Sequence, residues 1–117
     1  MSKQVDAILI PNPKRFTLFP IDHHDLWAFY KKALNSFWVA EEIVLDVDIV
    51  HWEDKLNDDE RYYIKNILAF FANADGIVNE NILDRFQKDV QFLEANYFYS
   101  FQMTIENIHA EVNFNKL

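Results

Sequence analysis

A long, unbroken helical pattern in the middle of the chain limits most strongly what the chain can fold into. The stretch 58–86 reads DDERYYIKNILAFFANADGIVNENILDRF and repeats apolar residues at alternating spacings of four and three. This period is typical of an amphipathic α-helix. Asn57 and Glu60 occupy the positions of a capping box, which predicts the start of the helix at about residue 58.

The rest of the chain predicts an all-α protein with an extended N-terminal arm. All three prolines fall in residues 1–20, so we expect an arm there and a partial helical domain over residues 21–117. Besides the long helix, the apolar spacing predicts helices over about 22–37, 46–56 and 88–112. A short connection near 87–90 would make the two long helices antiparallel neighbours.

Composition excludes several classes of function. Eleven Lys and Arg residues against 19 Asp and Glu give a net charge of −8, which argues against nucleic acid or an anionic membrane as partner. The absence of cysteine excludes disulfides, thiolate catalysis and zinc–sulfur sites. The single glycine, Gly76, excludes glycine-rich phosphate loops, and the longest apolar run, ILAFFA, is too short to span a bilayer. We therefore expect a soluble, cytoplasmic, acidic helical protein.

One charged residue interrupts the apolar face of the long helix. The face consists of Ile64, Leu68, Phe71, Asp75, Val78 and Ile82. An ionised carboxylate on a buried face needs a hydrogen-bonding partner or a metal ion. Asp75 is therefore a candidate functional residue.

The last helix carries a matching anomaly, Glu106 three residues before His109. Apolar residues surround most of this helix, so we expect it to be buried on most sides and both side chains to point into the interior. In an antiparallel hairpin centred near residue 90, Asp75 and Glu106 lie equally far from the turn. A carboxylate facing Glu-x-x-His is half of the ligand pattern of ferritin-like dimetal bundles. Oxygen and imidazole ligands without sulfur suit iron or manganese.

Other interpretations of these residues remain open. Glu-x-x-His is common on exposed helices, so the pair could simply hydrogen-bond within a helical interaction module. Asp48 and His51 repeat the spacing on a short helix, where a solvated surface is the better interpretation. The sequence Asp-His-His at 22–24 is interpreted as a helix start rather than a metal site, and Trp38 and Trp52 as packing aromatics.

Four segments carry a resemblance to a known family. They are NPKRFTLFPI at 12–21, FYKKALNSFWVAEEI at 29–43, LAFFANADGIVNEN at 68–81 and FYSFQMTIENIHAEV at 98–112. Together they resemble the small subunit of class I ribonucleotide reductase. The resemblance implies a ferritin-like helical bundle, of which this chain would form roughly the first half. It also implies a di-iron centre that activates oxygen and generates the radical used to make deoxyribonucleotides, and the ligand types leave manganese as the alternative metal.

The resemblance also assigns roles to individual residues. Asp75 matches the aspartate ligand of the first iron, Glu106 a bridging glutamate and His109 the histidine ligand of the same iron. Trp38 matches the tryptophan that relays the radical towards the large subunit, the implied partner. A second small subunit, identical or different, is the other implied partner. The family's remaining ligands come from its later half, so we expect the 117 residues alone to be inactive and to hold metal weakly.

Asn113 is the main departure from the family. The radical tyrosine stands four residues after the histidine in the family, and an amide at that position forms no such radical. The segment NFNKL at 113–117 is also not expected to continue the last helix, so similarity should stop at Val112. A non-catalytic or regulatory small-subunit homologue therefore stays open as an alternative.

Overall fold

Helices make up the ordered architecture of the chain, as the sequence predicts. The computed structural model describes residues 5–115, and no β-strand occurs within that range. The described residues form five α-helices: α1 (His24–Leu34), α2 (Asp46–Asp54), α3 (Asp58–Asn81), α4 (Gln87–Asp89) and α5 (Leu93–Asn115). Short 3-10 turns occupy Ala7–Leu9 and Ala40–Glu42, and a π-helical segment, Ile82–Phe86, links α3 to α4. None of the helices within residues 5–115 is long and apolar enough to cross a membrane.

The chain packs as two compact units. Unit 1 combines the residues up to Phe37 with Asn79–Ile105, and unit 2 combines Trp38–Val78 with the residues from Glu106 onwards. Both long helices, α3 and α5, contribute to both units. The division into an arm at 1–20 and a domain at 21–117 stays a prediction.

The start of α3 in unit 2 confirms the predicted capping box. The backbone N–H of Asn57 donates to the Glu60 carboxylate at 2.9 Å, and the Glu60 N–H donates back to Asn57 Oδ1 at 2.9 Å. Arg61 also donates to the carbonyl oxygens of Trp52 and Glu53 in the last turn of α2. The Arg61 guanidinium therefore joins the C-terminal end of α2 to the first turn of α3. A cation is favoured at the C-terminal end of α2 because the last carbonyl groups of a helix have no partner within the helix.

Helix α5 differs from its prediction in bounds and in burial. It begins at Leu93 rather than Lys88 because Gln87–Asp89 still continues the preceding helix, and the connection falls at 90–92. It is helical through Asn115, the last described residue, so Asn113 lies inside the helix, contrary to the prediction that helix stops at Val112. The expectation of burial on most sides is also wrong, since Tyr97, Glu111 and other positions along α5 are exposed.

Unit 1 contains a buried ion pair that the sequence did not predict. Glu94, in the first turn of α5, is fully buried and accepts hydrogen bonds from both terminal nitrogens of Arg15, at 2.9 and 2.6 Å. The backbone N–H groups of Asp22 and His23 donate to the same carboxylate. The apolar residues buried in this unit are Leu18, Ile82, Val90 and Ala95.

The hydrogen bonds around Glu94 determine its ionisation. Burial acts to raise the pKa of this carboxyl group, but the hydrogen bond from Arg15 and the surrounding backbone N–H groups outweigh it and lower the pKa to about 2. The same contact raises the pKa of Arg15. Glu94 is therefore a charged residue with a complete set of partners, which indicates a structural role.

Candidate metal centre

Asp75, Glu106 and His109 converge in unit 2, as the sequence predicted. Each offers one ligand atom, and these three atoms lie within 4.8 Å of one another. Asp75 belongs to α3, and the other two belong to the last turns of α5. All three side chains are partly buried. Within residues 5–115 this is the group of His and acidic residues with the geometry to hold a metal ion.

The Glu-x-x-His pair is held together by helix geometry. Residues three apart lie on the same face of an α-helix, and His109 Nδ1 is 3.2 Å from the Glu106 carboxylate. The Glu106 side chain is 16% exposed and the His109 side chain 38%. The contact with Glu106 therefore restrains the imidazole ring, and both side chains keep some exposure to solvent.

Asn113 contacts the third member of the cluster. Its side-chain Nδ2 donates a hydrogen bond to Asp75 Oδ2 at 3.2 Å. In the sequence, Asn113 stood out only because it replaces the family's tyrosine, and this contact was not predicted. Helical spacing carried a signal for it, because Asn113 lies one turn after His109 and shares its face of α5.

Trp38 lies against the histidine. The centroids of the Trp38 and His109 rings are 5.5 Å apart and their planes differ by 28°, which is a stacked arrangement. Trp38 precedes the Ala40–Glu42 turn and is half-buried. The indole therefore touches a predicted ligand directly, a contact that the sequence did not predict.

The other histidine and acidic residues considered in the sequence lie outside this cluster. His51 in α2 is exposed and contacts Lys55, with 3.1 Å between ring nitrogen and ammonium, while Asp48 is also exposed. His23 stacks on Phe92 with ring centroids 3.7 Å apart. The interpretation of these residues as non-metal positions stays a prediction.

Comparison with known proteins identifies the family to which the chain belongs. The sequence profile described as "Ribonucleotide reductase, small chain" matches residues 15–115 of the chain. The chain belongs to the ribonucleotide reductase small chain family. The match runs past Val112 to residue 115, so the expectation that similarity stops at Val112 is wrong.

Individual small chains of the family are similar over nearly all of this sequence. The ribonucleoside-diphosphate reductase small chain of Schizosaccharomyces pombe is 59% identical over 106 residues, covering 91% of this chain and 27% of its own length. The ribonucleoside-diphosphate reductase subunit M2 of Homo sapiens is 55% identical over 107 residues, covering 92% and 27%. This chain therefore spans about a quarter of the length of these relatives.

A solved structure confirms the fold class. The ribonucleotide reductase Rnr4 homodimer of Saccharomyces cerevisiae superposes with a TM-score of 0.81 at 42% identity, covering 92% of this chain and 34% of that chain. The fold is accordingly the small-subunit fold, a ferritin-like helical bundle, of which this chain forms a part. Family members are iron-dependent and pair with a large subunit in general.

The donor set of the cluster fits iron. Two carboxylates and one imidazole, with no sulfur, are the ligand types that iron and manganese take in proteins. The three ligand atoms lie within 4.8 Å of one another, and because the side chains are only partly buried, neither carboxylate is fully desolvated. Asp75, Glu106 and His109 are thus chemically suited to the metal on which the family depends.

Proposed function

We propose that this chain is part of the small subunit of a ribonucleoside-diphosphate reductase and provides half of its di-iron site. The convergence of Asp75, Glu106 and His109 within 4.8 Å carries the proposal, because it assembles the family's type of ligand from helices distant in sequence. When bound, a di-iron centre supplies the oxygen-dependent oxidation that generates the radical needed to make deoxyribonucleotides. Manganese is the alternative metal for the same ligands.

The three residues have distinct tasks in this proposal. Asp75 and Glu106 supply negative oxygen ligands, and their mutual repulsion in the metal-free protein is relieved when a cation binds. His109 supplies a neutral nitrogen ligand, and its contact with Glu106 at 3.2 Å restricts rotation of the ring. The side chains are therefore oriented before the metal arrives.

Trp38 is our candidate for the residue that carries the radical between the metal site and the large subunit. An indole is oxidisable, and this one stacks on the His109 ring at 5.5 Å. The replacement Trp38→Phe keeps an aromatic ring in the stack but removes the oxidisable indole. We expect it to abolish ribonucleotide reduction without changing the iron content of the protein. A loss of iron from this variant would instead assign Trp38 to packing.

The 117 residues alone provide too few ligands for a stable di-iron centre. Three protein ligands leave most coordination positions of two metal ions to water, so this chain should hold metal in substoichiometric, easily chelated form. The remaining ligands would come from further residues of a longer chain or from a second small subunit, identical or different. The cytoplasmic location stays a prediction.

A non-catalytic small subunit is the second candidate function, and Asn113 favours it. The amide occupies the radical tyrosine's position by resemblance and donates to Asp75. An amide has no accessible oxidation comparable to that of a phenol. Electron paramagnetic resonance of the natural full-length protein after addition of iron and oxygen should therefore give no tyrosyl signal from position 113. A tyrosyl signal that disappears when position 113 is changed would contradict this sequence.

Activity in the complete enzyme tests the proposal itself. Natural full-length protein, loaded with iron and mixed with the large subunit and a second small subunit, should support reduction of a ribonucleoside diphosphate. The variants Asp75→Asn and His109→Ala should lose both bound iron and activity, whereas His51→Ala, an exposed histidine of α2, should lose neither. Bound iron without activity in the natural protein would favour the non-catalytic alternative. Retention of iron by both ligand variants would refute the proposed site.

A further inference from the structure

The hydrogen bond between Asn113 and Asp75 joins α5 to α3 at the candidate metal centre. Donor and acceptor lie 38 residues apart in sequence and 3.2 Å apart in space, and both residues are half-buried. A carboxylate can only accept, so the amide must present its nitrogen to Asp75 rather than its oxygen. The contact therefore defines the orientation of the Asn113 side chain as well as that of the carboxylate.

We propose that Asn113 is a positioning residue that fixes the Asp75 carboxylate for cation binding. This inference rests on the proposed function, since it concerns the same metal centre. A carboxylate has about four lone-pair sites, and one amide donor occupies one of them. The sites that remain are sufficient for a cation, while rotation of the carboxylate about its side-chain bonds is restricted.

The neutrality of the amide matters for this role. A lysine or arginine at position 113 would neutralise Asp75 and repel an incoming cation. Asn113 orients the carboxylate without adding charge, so the two acidic groups of the cluster keep their attraction for a metal ion. This arrangement contrasts with Glu94 in unit 1, which a guanidinium saturates.

The expected effect of Asn113 follows from the behaviour of hydrogen bonds to metal ligands. Loss of such a partner typically lowers metal affinity by about 10- to 100-fold, because the ligand must then be ordered when the metal binds. The variant Asn113→Leu removes the donor but keeps a side chain of the same shape. Asn115→Leu, an exposed position at the end of the same helix, is the matched control.

The first experiment measures Mn²⁺ affinity of the natural full-length protein by the electron paramagnetic resonance signal of free Mn²⁺. Asn113→Leu should bind Mn²⁺ about 10- to 100-fold more weakly than the parent, and Asn115→Leu should bind it equally well. Equal affinity of Asn113→Leu and the parent would overturn the positioning role and leave the metal site intact. A parent that binds no Mn²⁺ would overturn the metal site, and the positioning role with it.

The second experiment tests the contact without metal. In protein labelled with ¹⁵N-asparagine and treated with chelator, the side-chain amide signals of Asn113 are assigned by their absence from Asn113→Leu. They should shift in Asp75→Leu, because the acceptor is removed, and unchanged signals would overturn the proposal. Should Asn113→Leu fail to fold by circular dichroism, Asn113→Ala replaces it, since alanine removes the donor without adding an apolar branch.

Discussion

The two units hold their carboxylates in opposite ways. In unit 1 the Glu94 carboxylate is fully buried and receives hydrogen bonds from Arg15 and two backbone N–H groups. In unit 2, Asp75 and Glu106 are only partly buried, and the described donors that face them are an amide and an imidazole. A buried charge whose partners are complete stabilises the fold. Clustered charges with spare lone pairs are suited to bind a cation.

Unit 1 also buries its apolar side chains more completely than unit 2 does. Within residues 5–115, every residue that is almost fully buried belongs to unit 1. Exposed aromatic side chains occur in both units, for example Phe16 at 90% in unit 1 and Tyr62 at 72% in unit 2.

Removal of Arg15 should have the largest effect on stability. Arg15→Met leaves the buried Glu94 carboxylate without its cation, which typically costs about 3–5 kcal/mol. Urea unfolding of the natural full-length protein should show this loss in the free energy of unfolding. Asp22→Asn is the control, because Asp22 also pairs with Arg15 but is 51% exposed, and it should cost less than about 1 kcal/mol. Equal losses of stability in Arg15→Met and Asp22→Asn would contradict a special role for the buried pair of Arg15 and Glu94.

Acid should weaken unit 1 through the same residue. The pKa of Glu94 falls from an ordinary value of 4.5 to about 2 on folding. Its contribution, about 3 kcal/mol, is complete above pH of about 4.5 and is lost as the pH falls through about 2. The free energy of unfolding, measured across this range, should fall less steeply in Glu94→Gln, which has no titrating carboxyl group. Parallel pH profiles of the parent and Glu94→Gln would show that protonation of Glu94 does not cause the loss of stability in acid.

The capping box should make a smaller contribution, in unit 2. Asn57→Ala removes the side-chain acceptor for the Glu60 N–H at the start of α3 and should cost about 1 kcal/mol. Asn57→Ser, which retains an N-cap acceptor, should restore most of the loss. The measurement is the thermal midpoint of unfolding. Failure of serine to restore stability would show that Asn57 acts through another contact.

Asp75→Asn should have the smallest effect when metal is absent. It removes repulsion between Asp75 and Glu106 but weakens the hydrogen bond from Asn113, so the free energy of unfolding should change by less than about 1 kcal/mol. Urea unfolding with chelator present checks this expectation. A loss as large as that of Arg15→Met would mean that Asp75 is a structural charge like Glu94, and the comparison between the units would fail.

Local patterns in the sequence predicted part of this structure well. The Asn57–Glu60 capping box was predictable because its partners are three residues apart and need no tertiary information. The convergence of Asp75 with Glu106 and His109 was predictable because two charged breaks in apolar faces lay at similar distances from a short connection. Helical period and an antiparallel arrangement were sufficient for that inference.

Contacts that depend on tertiary register were not predictable. The Arg15–Glu94 pair joins residues 79 apart, and no periodic signal marks an arginine in a proline-rich segment as the partner of a helix start. Helical spacing placed Asn113 on the face of His109, but it did not show that the amide would donate to Asp75. The stacking of Trp38 on His109 likewise follows from the path of an irregular segment.

Anomalous diffraction from crystals of the natural full-length protein grown with Mn²⁺ tests the metal site most directly. Data collected on both sides of the manganese absorption edge locate the ion independently of any assumed ligand. The account predicts an anomalous peak within bonding distance of Asp75, Glu106 and His109, and no peak at that place in His109→Ala crystals. A peak at another site, or an undiminished peak in His109→Ala, would contradict the assignment of these residues as the metal ligands.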